Sequence, residues 1–137
     1  MASDRNGNTN RVSVLLDANA LMTPAEFGVD IFSEIELLVG AFEPLTLTEV
    51  VSELKGLSTG KGRCASAARV GHSLSRRCRI ENSPVSGIPV DDMIVRYAEE
   101  NGCMVMTNDR GLRNKLLKLH IDVIVLRNQK TLEIIRG

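Results

Sequence analysis

VSVLLDAN, residues Val12 to Asn19, is the stretch that decides how the chain is read. Val12 to Leu16 is mostly apolar, and its Val and Leu residues form no helical stripe. The run therefore reads as a strand buried on both faces. Asp17 follows at once. A carboxylate at the end of a buried strand is costly unless something compensates its charge. In open parallel sheets the carboxyl ends of the strands are where ligands bind, and the chain delivers acids to comparable places further on.

Outward from that strand, Met1 to Asn10 is polar and rich in Gly and Asn, and reads as a disordered tail. Residues 11–137 are then one domain, long enough for a proper core and too short for two. Met22 to Gly28 reads as a loop around Pro24, so no helix is expected to begin at Asp17. Asp30 caps a helix over Ile31 to Val39 with Ile31, Ile35 and Leu38, joined by Phe32, as its stripe, ended by Gly40. Glu43 to Leu47 is a second strand, and Thr48 is the N-cap of a helix reaching about Leu57, on which Glu49 and Glu53 share a face. Arg63 to Cys78 reads as a helix with a small-residue face of Cys64, Ala67, Ala68, Gly71 and Leu74. A brief strand over Arg79 to Glu81 and a loop to Pro89 follow.

Val90 to Asn101 carries the clearest helix signals: Pro89 at its entry, Asp91 and Asp92 in its first turn, Gly102 at its end. Cys103 to Met106 is a buried strand running into Thr107-Asn108-Asp109, and Asp109 caps a helix through Leu119. Ile121 to Leu126 and Leu132 to Ile135 are the last strands. Strands alternating with helices predict an α/β/α sandwich around a mainly parallel sheet, with an antiparallel edge at the C-terminus.

The composition, 43% hydrophobic and 25% charged, is that of an ordinary globular protein. No apolar run approaches the length of a membrane span and no signal-peptide layout is present, so a cytoplasmic protein without a membrane partner is expected. Cys64, Cys78 and Cys103 lack metal-site spacing and read as reduced thiols; Cys64 and Cys78 fall on small-residue positions and read as packing. Net charge is zero, yet Lys55 to Arg79 holds seven basic residues and no acid. Lys55, Lys61, Arg63, Arg69, Arg76 and Arg77 are the candidates for contacting a polyanion, against the plainer reading of a solvated helix face.

Four acids then stand at equivalent topological places. Asp17 follows the first strand, Glu53 lies on the helix after the second, Asp91 opens a helix, and Asp109 follows the Cys103–Met106 strand. Taken singly, Asp91 and Glu53 read as a helix-start residue and a solvated one. Together they converge, because neighbouring strands lie about 4.8 Å apart. Each close pair repels by roughly 3–4 kcal/mol at an effective dielectric near 20. Without His or Cys the donor set is all oxygen, which suits Mg²⁺ or Mn²⁺ rather than Zn²⁺.

D-A-N (Asp17 to Asn19), S-E-L (Ser52 to Leu54), D-D-M-I (Asp91 to Ile94) and T-N-D-R-G-L (Thr107 to Leu112) together resemble the PIN-domain nucleases, over nearly the whole chain after residue 10. The resemblance implies an α/β/α sandwich that cleaves RNA with Mg²⁺ or Mn²⁺. It makes Asp17, Glu53, Asp91 and Asp109 the metal-binding catalytic acids, with Asn19 and Thr107 as polar supports. In-line attack by a metal-activated water, leaving a 5′-phosphate, is the implied chemistry. Asn19, the Asp91–Asp92 pair and the stretch after Asp109 resemble the branch that processes ribosomal precursor RNA, and its archaeal relatives, more than VapC-type toxins. One departure stands out: some members carry a further acid where this chain has Gly111, Leu112 and Arg113, and Asp92 is the residue available to compensate. With no Trp and one Tyr, RNA binding should rest on phosphate contacts rather than stacking.

Two other enzyme classes fail on single residues. An aspartate-dependent phosphatase wants D-x-D where Asn19 stands, and a receiver domain wants a lysine where Leu126-Arg127 stands. A non-cleaving RNA-binding or assembly domain on the same fold remains the alternative, as does a VapC-type toxin. A module this small also leaves room for a protein partner or a homodimer in choosing its RNA. His72 and His120 read as surface or helix-end residues, and Met22, Met93, Met104 and Met106 as core or near-core filler.

Overall fold

In the computed structural model, which describes residues 11–137, the apolar run after Arg11 is strand β1 (Val12–Leu16), with Val14, Leu15 and Leu16 wholly buried. The tail expected over residues 1–10 lies outside the described residues. Strand β1 takes the middle of a six-stranded sheet. On one side lie β2 (Phe42–Leu47) and then β3 (Arg79–Glu81). On the other lie β4 (Met104–Met106), β5 (Val123–Arg127) and β6 (Thr131–Ile135). Every neighbouring pair is parallel except β5 with β6, so the C-terminal edge is antiparallel as the sequence predicts.

The chain builds outward from β1 to β3, then crosses back to place β4 on the other flank of β1. That reversal makes the gap between the carboxyl ends of β1 and β4 a topological switch point, where parallel sheets bind ligands. Helices α1 (Ala18–Phe27), α3 (Thr48–Ser58) and α4 (Gly62–Leu74) pack on one another, and α5 (Val90–Asn101) packs with α6 (Arg110–Lys118). The sheet between them completes the expected three-layer sandwich. Helix α2 (Ile31–Val39) lies across β2 and β6. Among the described residues no helix is long and apolar enough to cross a membrane.

The main departure from the sequence reading falls beside Asp17. Residues 22–28 are not a loop: α1 begins at Ala18 with Asp17 as its N-cap, the Ala20 amide donating to Asp17 Oδ1 at 2.7 Å. Pro24 removes a helical donor and disfavours helix by about 3 kcal/mol. Burial outweighs it, because Ala18, Ala20, Leu21, Met22 and Thr23 all face the core, and one fully buried Leu or Met contributes roughly 1.5–3 kcal/mol. Gly28 then closes the helix in the left-handed region, at φ 68°.

Smaller corrections follow the same logic of packing over local signal. Leu47, not Thr48, is the N-cap of α3, without a side-chain bond; the Thr48 hydroxyl instead donates to Asn82 Oδ1 at 2.9 Å, just past β3. The buried face of α4 is Ala65, Ala67, Ala68 and Gly71, so Cys64 is exposed and only Cys78 of that pair packs. Helix α4 ends at Leu74, and Ser75–Arg77 form a 3₁₀ turn. In α2 the buried residues are Ile31, Phe32 and Ile35, while Leu38 is turned outward. The small face of α4 has a purpose: a Cβ on Gly71 would stand 3.1 Å from the Leu21 carbonyl oxygen and 3.2 Å from Leu54 Cδ2.

Candidate active site

Asp17 is the centre of the site and its most constrained residue. It follows β1 directly, is 6% exposed, and uses both carboxylate oxygens: Oδ1 accepts from the Ala20 amide and Oδ2 from the Thr107 hydroxyl. Thr107 comes from the end of β4, is wholly buried, and its Oγ1 also accepts from the Asp109 amide at 3.1 Å. One hydroxyl thus ties the acid after β1 to the acid after β4, across the switch point. Thr46, also wholly buried, donates to the Leu16 carbonyl at 2.8 Å and pins β2 to the residue just before Asp17.

Burial pushes Asp17 up to about 7, against the lowering effect of its bonds to Thr107 and Ala20; repulsion from Asp91 and Asp109 adds to the rise. Asp91, half-buried in the first turn of α5, is raised by burial and by the Asp109 carboxylate, with Lys115 opposing and Asp92 adding. Glu53, on the exposed side of α3, is raised by burial and by Asp91. Each acid feels at least one other, so Asp17, Glu53, Asp91 and Asp109 do gather at one end of the sheet, as the strand spacing requires. Asp109 is exposed and caps α6, its Oδ1 accepting from the Leu112 amide at 3.1 Å.

The two polar supports differ in kind. Thr107 touches Asp17 directly. Asn19 is exposed and reaches instead to the neighbouring loop, its Oδ1 accepting from the Asn108 amide at 3.1 Å. Asn108 in turn accepts from the Leu126 amide at 2.8 Å, stitching that loop to β5. Asn108 lies inside T-N-D, but its chain-tying role becomes visible only once β5 is seen beside β4. Asp92, the residue read as able to compensate, is engaged through one oxygen: its Oδ1 accepts from Lys115 Nζ at 2.9 Å. In the sequence Lys115 is one of several outward basic residues of its helix, and nothing there distinguishes it from Lys118.

The basic segment does not emerge beside the acids as a block. Lys55 lies two residues past Glu53 and therefore on another face of α3. Arg63 lines the same hollow as Phe27, at the far end of α1 from Asp17, about 15 Å along the helix. Lys61 precedes α4 at the same turn. Arg69 donates to the Ser58 carbonyl at 2.8 Å. Arg76 and Arg77 precede β3 and so lie at the opposite edge of the sheet, where strands begin. Arg77 stacks over the Phe32 ring, 4.0 Å from its centroid, in a hollow shared with Arg11 and Phe42. The physical reason is the crossover: α3 and α4 must carry the chain back to the start of a parallel strand.

The donor chemistry suits a hard divalent ion, being oxygen only and of one charge. Glu49, one turn before Glu53 on the same face of α3, adds a buried Oε1 without a hydrogen-bond partner. As placed, no three acidic, histidine or cysteine side chains among the described residues stand close enough to grip one ion together.

A mainly parallel α/β/α sheet with acids drawn together at its switch point is the class of fold the structure defines. Residues 14–129 match the family model described as a PIN like domain, and the chain belongs to that family. It is 28% identical over 126 residues to "Ribonuclease VapC4" of Methanocaldococcus jannaschii, covering 88% of this chain and 95% of that protein. Among solved structures it is similar to the PIN domain endonuclease Utp24, with a TM-score of 0.75 at 23% identity, over 91% of this chain and 92% of that one. A second similar fold is PAE2754 from Pyrobaculum aerophilum, with a TM-score of 0.52 at 20% identity, over 86% and 98%. The family read from the four short motifs is thus the family found.

Proposed function

We propose that this protein is a Mg²⁺- or Mn²⁺-dependent endoribonuclease, hydrolysing RNA phosphodiester bonds at the carboxyl end of its sheet. The observation that carries the reading is Asp17: a buried aspartate at the switch point, facing Asp91 and Asp109. Family membership and a relative named a ribonuclease support the reading. Asp17, Glu53, Asp91 and Asp109 would hold the ion, which supplies an acidified water and charge stabilisation at phosphorus. Thr107 fixes the Asp17 carboxylate and, through the Asp109 amide, the start of α6. Asn19 and Asn108 hold the β4–α6 loop so that Asp109 stays at the mouth of the site.

The RNA target follows two readings. A role in ribosomal-precursor processing rests on the Asn19 and Asp91–Asp92 pattern; a VapC-type toxin role is favoured by the curated relative. The test of the common claim is cleavage of a labelled single-stranded RNA in Mn²⁺, in Mg²⁺ and in EDTA. Cleavage should need the ion and be lost in Asp17→Asn with the fold intact. Cleavage by Asp17→Asn at the parent rate would refute the assignment, and metal-independent RNA binding with no cleavage would favour the binding or assembly alternative.

A further inference from the structure

We propose that Lys115, held by Asp92, is a substrate contact of this site, taking a backbone phosphate adjacent to the one cleaved; the inference rests on the nuclease reading above. Asp92 sits beside Asp91 in the first turn of α5, and Lys115 lies nearly two turns into the helix that Asp109 caps. Their 2.9 Å ion pair therefore bridges the two elements that deliver two of the four acids. The ammonium is close enough to Asp91 and Asp109 to feel both carboxylates.

Magnitudes argue against a purely structural purpose. The pair is solvent-accessible, its side chains 55% and 41% exposed, and an exposed ion pair adds little to stability. The inward faces of the two helices, with Met93, Ile94, Leu112 and Leu116 buried, hold them by apolar packing instead. What the pair achieves is placement. A polyanion entering a mouth lined by Asp17, Glu53, Asp91 and Asp109 meets repulsion, and Lys115 is a cation stationed inside that field. An ammonium has three N–H donors; with one on Asp92, two remain for phosphate oxygens, and the exposure leaves them open to solvent. The basic residues of α4 and of the turn before β3 cannot serve here, because the fold carries them away from this end.

The experiment measures binding of a fluorescently labelled single-stranded RNA by anisotropy across a NaCl series, with Ca²⁺ as the divalent ion and the RNA checked to be intact. Parent, Lys115→Met, Lys115→Arg and Lys118→Met are compared, with thermal midpoints recorded for each. Removing one lysine–phosphate interaction makes the slope of log K against log salt shallower by about 0.7 for a single strand. Lys115→Met should show that change and weaker binding at low salt, Lys115→Arg should restore the parent slope, and Lys118→Met should keep it. An unchanged slope in Lys115→Met, with or without a lowered midpoint, overturns the proposal, as does an equal change in Lys118→Met. A parent that binds no RNA fails at the earlier step and removes the nuclease reading itself.

Discussion

Asp17→Asn should stabilise the metal-free protein, and more so as the pH rises. In the folded state burial lifts Asp17 from 3.8 to about 7, so between those values the native protein holds a proton that the unfolded chain has lost. Stability from this group is therefore fully present below pH 4 and is lost progressively as the pH climbs to about 7. With 1.36 kcal/mol per pKa unit, the shift amounts to about 4 kcal/mol at pH 8, of which about 2–3 kcal/mol appears between pH 5 and pH 8. Asparagine keeps the acceptor for the Ala20 amide and does not ionise. Urea unfolding in EDTA at pH 5 and pH 8 reads both proteins on one scale. The Asn variant should gain on the parent by about 2–3 kcal/mol over that interval, and Mn²⁺ should restore the parent alone. Parallel curves for the two proteins, in EDTA and in Mn²⁺ alike, would refute the account of Asp17 as a buried acid held protonated until an ion binds.

Other outcomes follow from the same geometry. Thr107→Val keeps the volume but removes the donor that lowers Asp17 and the acceptor of the Asp109 amide. It should cost about 1–3 kcal/mol in unfolding experiments and move the acid limb of the activity profile upward; an unshifted profile would separate Thr107 from the ionisation of Asp17. Neutralising Arg76 and Arg77 should leave the turnover of a short oligonucleotide unchanged, because both stand at the edge where strands begin. Binding of a longer RNA should weaken, with a salt slope shallower by about 0.7 for each phosphate no longer neutralised. Slowed turnover of the short substrate would place these arginines in the reaction after all.

The sheet and the positions of Asp17, Asp91 and Asp109 were legible because they rest on the strongest local signals: doubly buried strands, and carboxylates at strand ends and helix starts; Glu53, midway along α3, was singled out only by the S-E-L motif. The boundaries of α5 follow Pro89 and Gly102 as read. What was not legible depends on partners distant in sequence. Pro24 reads as a breaker, and only the burial of Leu21 and Met22 against the sheet reveals a helix there. That helix gives Asp17 the ordinary role of an N-cap, so its functional weight rests on burial and on its neighbours Asp91 and Asp109, not on the lack of a helix. Cys64 and Ala65 are one position apart, and which of them faces inward depends on how close α1 allows α4 to come at Gly71. Lys115 is one of four similar basic residues until Asp92, on another helix, singles it out. The basic run reads as one patch along the chain but is divided in space by the crossover to β3.

The proposed hard divalent ion among these four carboxylates is open to anomalous diffraction from a crystal soaked in Mn²⁺. The account predicts a peak with oxygens of Asp17 and at least two of Glu53, Asp91 and Asp109 within about 2.0–2.4 Å. A crystal with full Mn²⁺ exposure and no peak there, or a peak held by other residues, would contradict it.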